Sequence, residues 1–222
     1  AIVYSGGDDL FIVGAWNEVI ELAVDIRKNF EKYTEGTLTI SAGIGIYHDK
    51  YPISVIAEET AALENKSKNN IGKNSVTLFE DGCSHDEFIN GNRVEISDGT
   101  YSWDEFENEV IADKFNVIKA FFDECDERGN SFLYKILELI RNQSDRINFA
   151  RFVYLIARLE PDDNASEKKK NLYDVFLKKM YQWISESEKQ KKNKNIRQLK
   201  TAINLYVYLK RTKEGESDDK RK

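Results

Sequence analysis

Asp8 and Asp9 are adjacent carboxylates that follow two glycines, Gly6 and Gly7. Short apolar runs flank them: Ala1-Ile2-Val3-Tyr4 before and Leu10-Phe11-Ile12-Val13 after. This pattern predicts a β-hairpin with the acidic pair at its tip. Carboxylates are hard oxygen ligands, and Mg²⁺ or Mn²⁺ takes one or two of them together with substrate phosphates. Ions held there could activate a ribose hydroxyl and stabilise departing pyrophosphate in an in-line displacement. Glycines at the turn let phosphate approach the backbone. The plain alternative is an ordinary turn, since Gly and Asp are common turn residues. Three features favour chemistry. The apolar flanks predict that the carboxylates sit at the edge of a buried sheet. A helix, a glycine-bearing strand and a second helix follow. That second helix ends in lysines, Lys66 and Lys68 with Lys73 beyond, placed to meet phosphate.

The positioning elements read as follows. Val19, Ile20, Ala23, Val24, Ile26 and Phe30 form an apolar stripe that predicts a helix over 16–33, ended by Gly36. Residues 37–47 predict a strand, and Gly43 and Gly45 within it suggest close packing or a ligand at the backbone. Pro52 opens a helix over 53–69, and a strand over 75–79 follows. Residues 81–101 are rich in Gly, Asn and Asp and read as a linker with a short hairpin around Asn90-Gly91. Ser102 and Glu105 form a capping box. From there the spacing predicts helices at 103–126, 130–142, 145–159, 166–188 and 195–212, then a disordered tail from 213. The expectation is an α+β unit over 1–80, a linker, and an all-α helical bundle over 102–222.

The 222 residues are 41% hydrophobic and 32% charged, with a net charge of −6. Residues 1–165 hold 31 acidic and 16 basic side chains, and residues 166–222 hold 8 and 17. The whole chain is therefore too acidic for a general nucleic-acid binder. Its last quarter, with the run from Lys189 to Lys200, reads as a contact for RNA or an acidic partner, or as a solvated inter-helix loop. Cys83 and Cys125 make neither a disulfide framework nor a zinc site, which fits a reducing cytoplasm. The acidic neighbours of Cys125 argue against a reactive thiol. His85-Asp86 lacks the further ligands a metal-dependent hydrolase needs. Trp103, Trp183 and the tyrosines at 173, 181, 206 and 208 read as core. No apolar run is long enough to span a membrane. The sequence starts within a strand and without Met, which predicts that it is the C-terminal part of something longer.

Four stretches together carry a resemblance: Ala1 through Phe11, Ser41-Ala42-Gly43-Ile44, Tyr51-Pro52-Ile53, and Lys73-Asn74-Ser75-Val76-Thr77-Leu78-Phe79. They resemble the large polymerase/cyclase subunit of type III-A (Csm) CRISPR effector complexes. The resemblance implies a ferredoxin-like palm related to the GGDEF cyclases. It implies synthesis of cyclic oligoadenylate from ATP, triggered by target RNA. Asp8 and Asp9 would be the catalytic residues and the ligands of Mg²⁺ or Mn²⁺, with Asp8 the better ligand. Ser5, Gly6 and Gly7 would lie against the nucleotide, and Lys68 and Lys73 would contact phosphate. The partners implied are other complex subunits, guide RNA and target RNA. Palms of this kind take a further carboxylate from an upstream strand, and the family has an HD nuclease domain. Neither is in this sequence, so this stretch alone is expected to be inactive. Two other readings stay open. A diguanylate cyclase would have Glu-Phe where this chain has Asp9-Leu10. A structural ribonucleoprotein subunit would use the helical part to dock its neighbours.

Overall fold

The computed structural model describes residues 2–70, 72–79, 84–89, 92–125, 130–141, 146–190 and 194–219. The chain divides into two compact units, Ala1–Glu107 and Asn108–Lys222.

In the first unit, β1 (Ile2–Gly6) and β2 (Asp9–Ile12) pair antiparallel as a hairpin. Helix α1 (Trp16–Tyr33) follows, then β3 (Ala42–Ile44), helix α2 (Ile53–Lys68) and β4 (Ser75–Leu78). Strands β3 and β4 are parallel neighbours, so α2 is the crossover of a βαβ unit. A second hairpin, β5 (Ser84–Ile89) and β6 (Asn92–Ser97), places Ile89 opposite Asn92. Strand β7 (Thr100–Ser102) then adds antiparallel to β4, giving the order β3-β4-β7.

Gly43 sits in β3 because α2 lies on it. A Cβ there would stand 2.5 Å from the Thr60 carbonyl oxygen and 2.8 Å from the Leu63 Cβ. Of the two sequence readings of this glycine, close packing is the one observed. The core gathers Ile44, Leu63, Val76, Leu78, Tyr101, Trp103 and Phe106, all buried. The Trp103 indole N–H, which burial obliges to find a partner, donates to the Ile40 carbonyl at 2.9 Å. Ser102 caps α3 (Trp103–Glu105), its hydroxyl accepting from the Glu105 N–H at 3.2 Å, as the capping pattern predicts.

Several expectations need correction. The strand expected over 37–47 is only Ala42–Ile44, because its partner β4 ends at Leu78 and Phe79 turns to φ +53°. Residues 100 and 101, expected in a linker, belong with Ser102 to the sheet, because Thr100 and Tyr101 bury against β4. The hairpin carrying Asp8 and Asp9 is not the edge of a buried sheet. Val3, Tyr4 and Leu10 are 51%, 56% and 46% exposed. Strands β1 and β2 pair only with each other among the described residues, and Phe11 and Ile12 are half-buried. Along α1 only Ile20 and Arg27 are buried, so the apolar stripe is half-covered.

The second unit is helical. A π-helical stretch (Phe106–Phe115) joins α3 to α4 (Asn116–Cys125), and α5 (Asn130–Arg141), α6 (Arg146–Ala157), α7 (Glu167–Gln190) and α8 (Lys194–Asp219) follow. The sequence predicts plain α-helix through 103–126. The π stretch has a trace in the burial: Phe106, Val110, Lys114 and Ile118 are buried every fourth residue, longer than the 3.6-residue α period. Helix α8 continues to Asp219, past the point where a disordered tail is expected. The core is aromatic, with Phe121 stacked on Phe176 at 4.3 Å between ring centroids. Trp183, Tyr173 and Tyr206 are buried in it as expected, while Tyr181 and Tyr208 are half-buried. No helix among the described residues is long and apolar enough to cross a membrane.

Candidate active site

The site is built from the turn upward. Gly6 stands opposite Asp9, so Gly7 and Asp8 are the two loop residues of the hairpin. Gly7 has φ +63°, and Asp8 is not left-handed. A positive φ at the first loop position alone is the pattern of a type II′ turn, which matches strand twist and favours glycine there. Gly6 makes room for Tyr4, whose hydroxyl would lie 2.8 Å from an added Cβ. Asp8 and Asp9 are exposed at the tip, as are Ser5 and Gly7 on the same hairpin.

Lys68 is in the last turn of α2, where its ammonium bonds the Glu64 carboxylate at 2.8 Å. Its pKa is raised, first by that Glu64 hydrogen bond and charge, and further by the negative charges of Asp9 and Asp8. The end of α2 therefore lies within electrostatic reach of the hairpin tip. Lys73 is placed differently. It sits in a left-handed run, Gly72, Lys73 and Asn74, with φ of +74°, +53° and +46°. Its neighbour Asn74 faces a small open pocket lined also by Arg27, Phe30 and Ile40. The charges of Asp8 and Asp9 thus reach Lys68, and no described interaction ties Lys73 to them.

Two exposed carboxylates suit Mg²⁺ or Mn²⁺, which draws its remaining ligands from phosphate and water. Among the described residues no group of three or more His, Cys, Asp or Glu is arranged to hold a metal. The donor set fits a divalent ion shared with a nucleotide, rather than one caged by protein alone. His48 is exposed beside Asp49, and His85-Asp86 lies on β5, where the side chains are outside the described residues. Cys125 is half-buried and donates to the Lys169 carbonyl at 3.6 Å.

Two features escaped the sequence reading. One is a line of buried hydroxyls under Lys68, formed by Ser67, Thr77 and Thr100. Its trace is the small polar residues of Ser75-Val76-Thr77-Leu78, all four buried. The other is the fate of the basic quarter. Lys168 pairs with Glu124 at 2.6 Å, Lys179 with Asp113 at 2.7 Å and Lys194 with Glu109 at 2.8 Å. Arg197 and Lys200 are buried within α8. Lys194, Arg197 and Lys200 of that basic run therefore lie on a helix rather than in an inter-helix loop. Residues 191–193 lie outside the described residues, as do the side chains of 189 and 190.

Comparison with known proteins agrees with both units. Residues 1–77 match the Cas10/Cmr2 second palm domain. Residues 119–212 match the second helical domain of the CRISPR RNA silencing complex Cmr2 subunit. The chain is 40% identical over 215 residues, 97% of its length, to a protein of Mycobacterium tuberculosis named CRISPR system single-strand-specific deoxyribonuclease Cas10/Csm1 (subtype III-A). It is 38% identical over 94% of its length to the protein of the same name from Streptococcus thermophilus. A shorter stretch of 83 residues is 36% identical to the CRISPR system Cmr subunit Cmr2 of Pyrococcus furiosus, covering 35% of this chain and 10% of that one. The chain spans 23% and 24% of the two Csm1 relatives. With both of its parts matched in order and nearly all of its length aligned, the chain belongs to the Cas10/Csm1 family of type III-A CRISPR effector large subunits.

Proposed function

We propose that the β1–β2 hairpin is the catalytic tip of a cyclic oligoadenylate synthase that acts within the full-length subunit. The observation that carries this reading is the exposed Asp8–Asp9 pair on a glycine turn with Lys68 in electrostatic reach. In the reaction, the 3′-hydroxyl of one ATP attacks the α-phosphorus of another. A phosphodiester forms, the α–β anhydride bond breaks and pyrophosphate leaves. Asp8 and Asp9 would hold Mg²⁺ or Mn²⁺, which supplies neutralisation of phosphate charge and a more acidic attacking hydroxyl. Gly6 and Gly7 present bare backbone, and Ser5 a hydroxyl, to the nucleotide. Lys68 exchanges Glu64 for a phosphate oxygen, a swap made easy because an exposed i,i+4 pair is worth only about 0.3–0.5 kcal/mol. Lys73, exposed beyond the end of α2, is a second candidate for phosphate.

Asp9-Leu10 in place of Glu-Phe counts against a diguanylate cyclase. Other complex subunits would dock on the helical unit, and guide and target RNA would be met through the assembled complex. The test is the double substitution Asp8→Ala with Asp9→Ala in the full-length subunit, assembled and supplied with target RNA. Oligoadenylate formation should fall by a factor of roughly a thousand or more, since charge stabilisation at the phosphates is the largest catalytic contribution. Subunit assembly should be unchanged. Undiminished synthesis would overturn the assignment, and preferred incorporation of GTP would favour the diguanylate cyclase.

A further inference from the structure

Beneath Lys68 runs a chain of buried hydroxyls. The Ser67 hydroxyl donates to the Ala42 carbonyl of β3 at 2.7 Å. It also lies 2.6 Å from the Thr77 hydroxyl of β4, which lies 2.9 Å from the Thr100 hydroxyl of β7. Each hydroxyl has one proton. Ser67 spends its proton on a carbonyl that can only accept, so Thr77 must donate to Ser67 and Thr100 to Thr77. The chain therefore has one direction, Thr100 to Thr77 to Ser67 to Ala42, and each bond polarises the next. Separately, the Ser75 hydroxyl donates to the Ser67 carbonyl at 2.7 Å. That carbonyl belongs to the last turn of α2, where helical partners run out.

Stability alone does not call for this arrangement. Serine is a mediocre residue inside a helix. Replacing a buried set of paired hydroxyls by apolar groups of the same shape can be neutral or stabilising. What a directional chain adds is a single orientation. It ties the final turn of α2 to all three strands of the sheet, one residue before Lys68. Residue 68 is also where the helix ends and would otherwise fray.

We propose that Ser67 is a positioning residue for nucleotide binding: its hydroxyl chain locks the last turn of α2 so that Lys68 is presented to the triphosphate at the Asp8–Asp9 tip. This rests on reading the hairpin as a nucleotide site. Lys68 would touch the ligand, and Ser67 would act only through it.

The experiment is a double-mutant cycle in the full-length subunit, assembled and activated by target RNA, reading KM and kcat for ATP. A charge-assisted contact is worth about tenfold in binding. Lys68→Ala should therefore raise KM by about that factor, and Ser67→Ala should follow it, with kcat changed less. The variant carrying both should be no worse than Lys68→Ala alone. Thr77→Val, which removes the donor to Ser67, should behave as Ser67→Ala does, and Thr77→Ser should keep the native KM. A native KM in Ser67→Ala, or effects of Ser67→Ala and Lys68→Ala that multiply, would overturn the proposal. If Ser67→Ala does not fold, the Thr77→Val and Thr77→Ser pair, each with and without Lys68→Ala, decides by the same rule. Failure of the synthase reading looks different: full synthesis in the Asp8 and Asp9 double variant, or none in the native complex. In either case the equilibrium Kd for ATP with Mn²⁺, measured on the same variants, applies the same test to Ser67.

Discussion

Gly7 shows how much a single backbone angle contributes to this site. Its φ of +63° is costly for any residue with a Cβ, yet no atom lies within 4 Å of where a Cβ would stand. The cost of Gly7→Ala is therefore conformational and not steric. It should lower stability by about 1 kcal/mol. It should lower activity more than that, because the same angle aims Asp8 and Asp9. Thermal melting together with oligoadenylate yield checks this, and an alanine variant equal to wild type in both would show that the turn is not the pre-set feature described here. Asp8, Asp9, Gly6 and Gly7 were legible in the sequence because tight-turn chemistry is local. Ser67 was not, because a serine near a helix end says nothing of the strands it will touch.

At the scale of elements, α2 is held by two devices of opposite kind. Its middle lies on β3 through the missing side chain of Gly43, and its end is tied by the Ser67 hydroxyl. Gly43→Ala places a methyl against the backbone of Thr60 and Glu64, which cannot swing aside as a side chain would. The helix must lift, and the loss should be about 2–3 kcal/mol, at the upper end for overpacking. Because α2 also carries Lys68, affinity for ATP should fall along with the melting temperature. An unchanged melting temperature would mean that the helix does not lie on β3 as closely as described. The hairpin is the opposite case. Its strands were correctly expected, but their burial was not, since alternating apolar residues announce a strand without saying what covers it.

Across the whole molecule, the uneven charge of the sequence is partly settled within the helical unit. The acids of the π stretch and α4 meet the bases of α7 and α8: Asp113 with Lys179, Glu124 with Lys168, Glu109 with Lys194. Burial pushes the Glu109 pKa up, but hydrogen bonds from Lys194 and Gln198 and the charges of Lys194 and Lys114 pull it down further, to a net value below the ordinary 4.5. A carboxylate with a lowered folded pKa adds stability above its unfolded value and loses it as pH falls through the folded one. Glu109→Gln should therefore melt below the native chain at pH 7, by the equivalent of about 1 kcal/mol or less for a half-exposed pair. The gap should close as the pH falls through the lowered folded-state pKa and the carboxylate is protonated. A gap that persists unchanged in acid would mean that the carboxylate charge is not what Lys194 and Gln198 hold.

Helix positions, the capping box at Ser102 and the glycine turn bearing the two aspartates were determined by the sequence by itself. Each depends on residues within a few positions of one another, where backbone preference and periodicity dominate. The order of those elements, read with the motifs, was enough to place the chain in its family. Only the tertiary structure decided which strands Ser67 ties to α2, what Gly43 makes room for, and which acids meet Lys168, Lys179 and Lys194. Those outcomes join residues 10 to 85 positions apart, such as Ser67 with Thr77 or Lys194 with Glu109. No local pattern encodes such pairings, because they follow from how already formed helices and strands pack on one another.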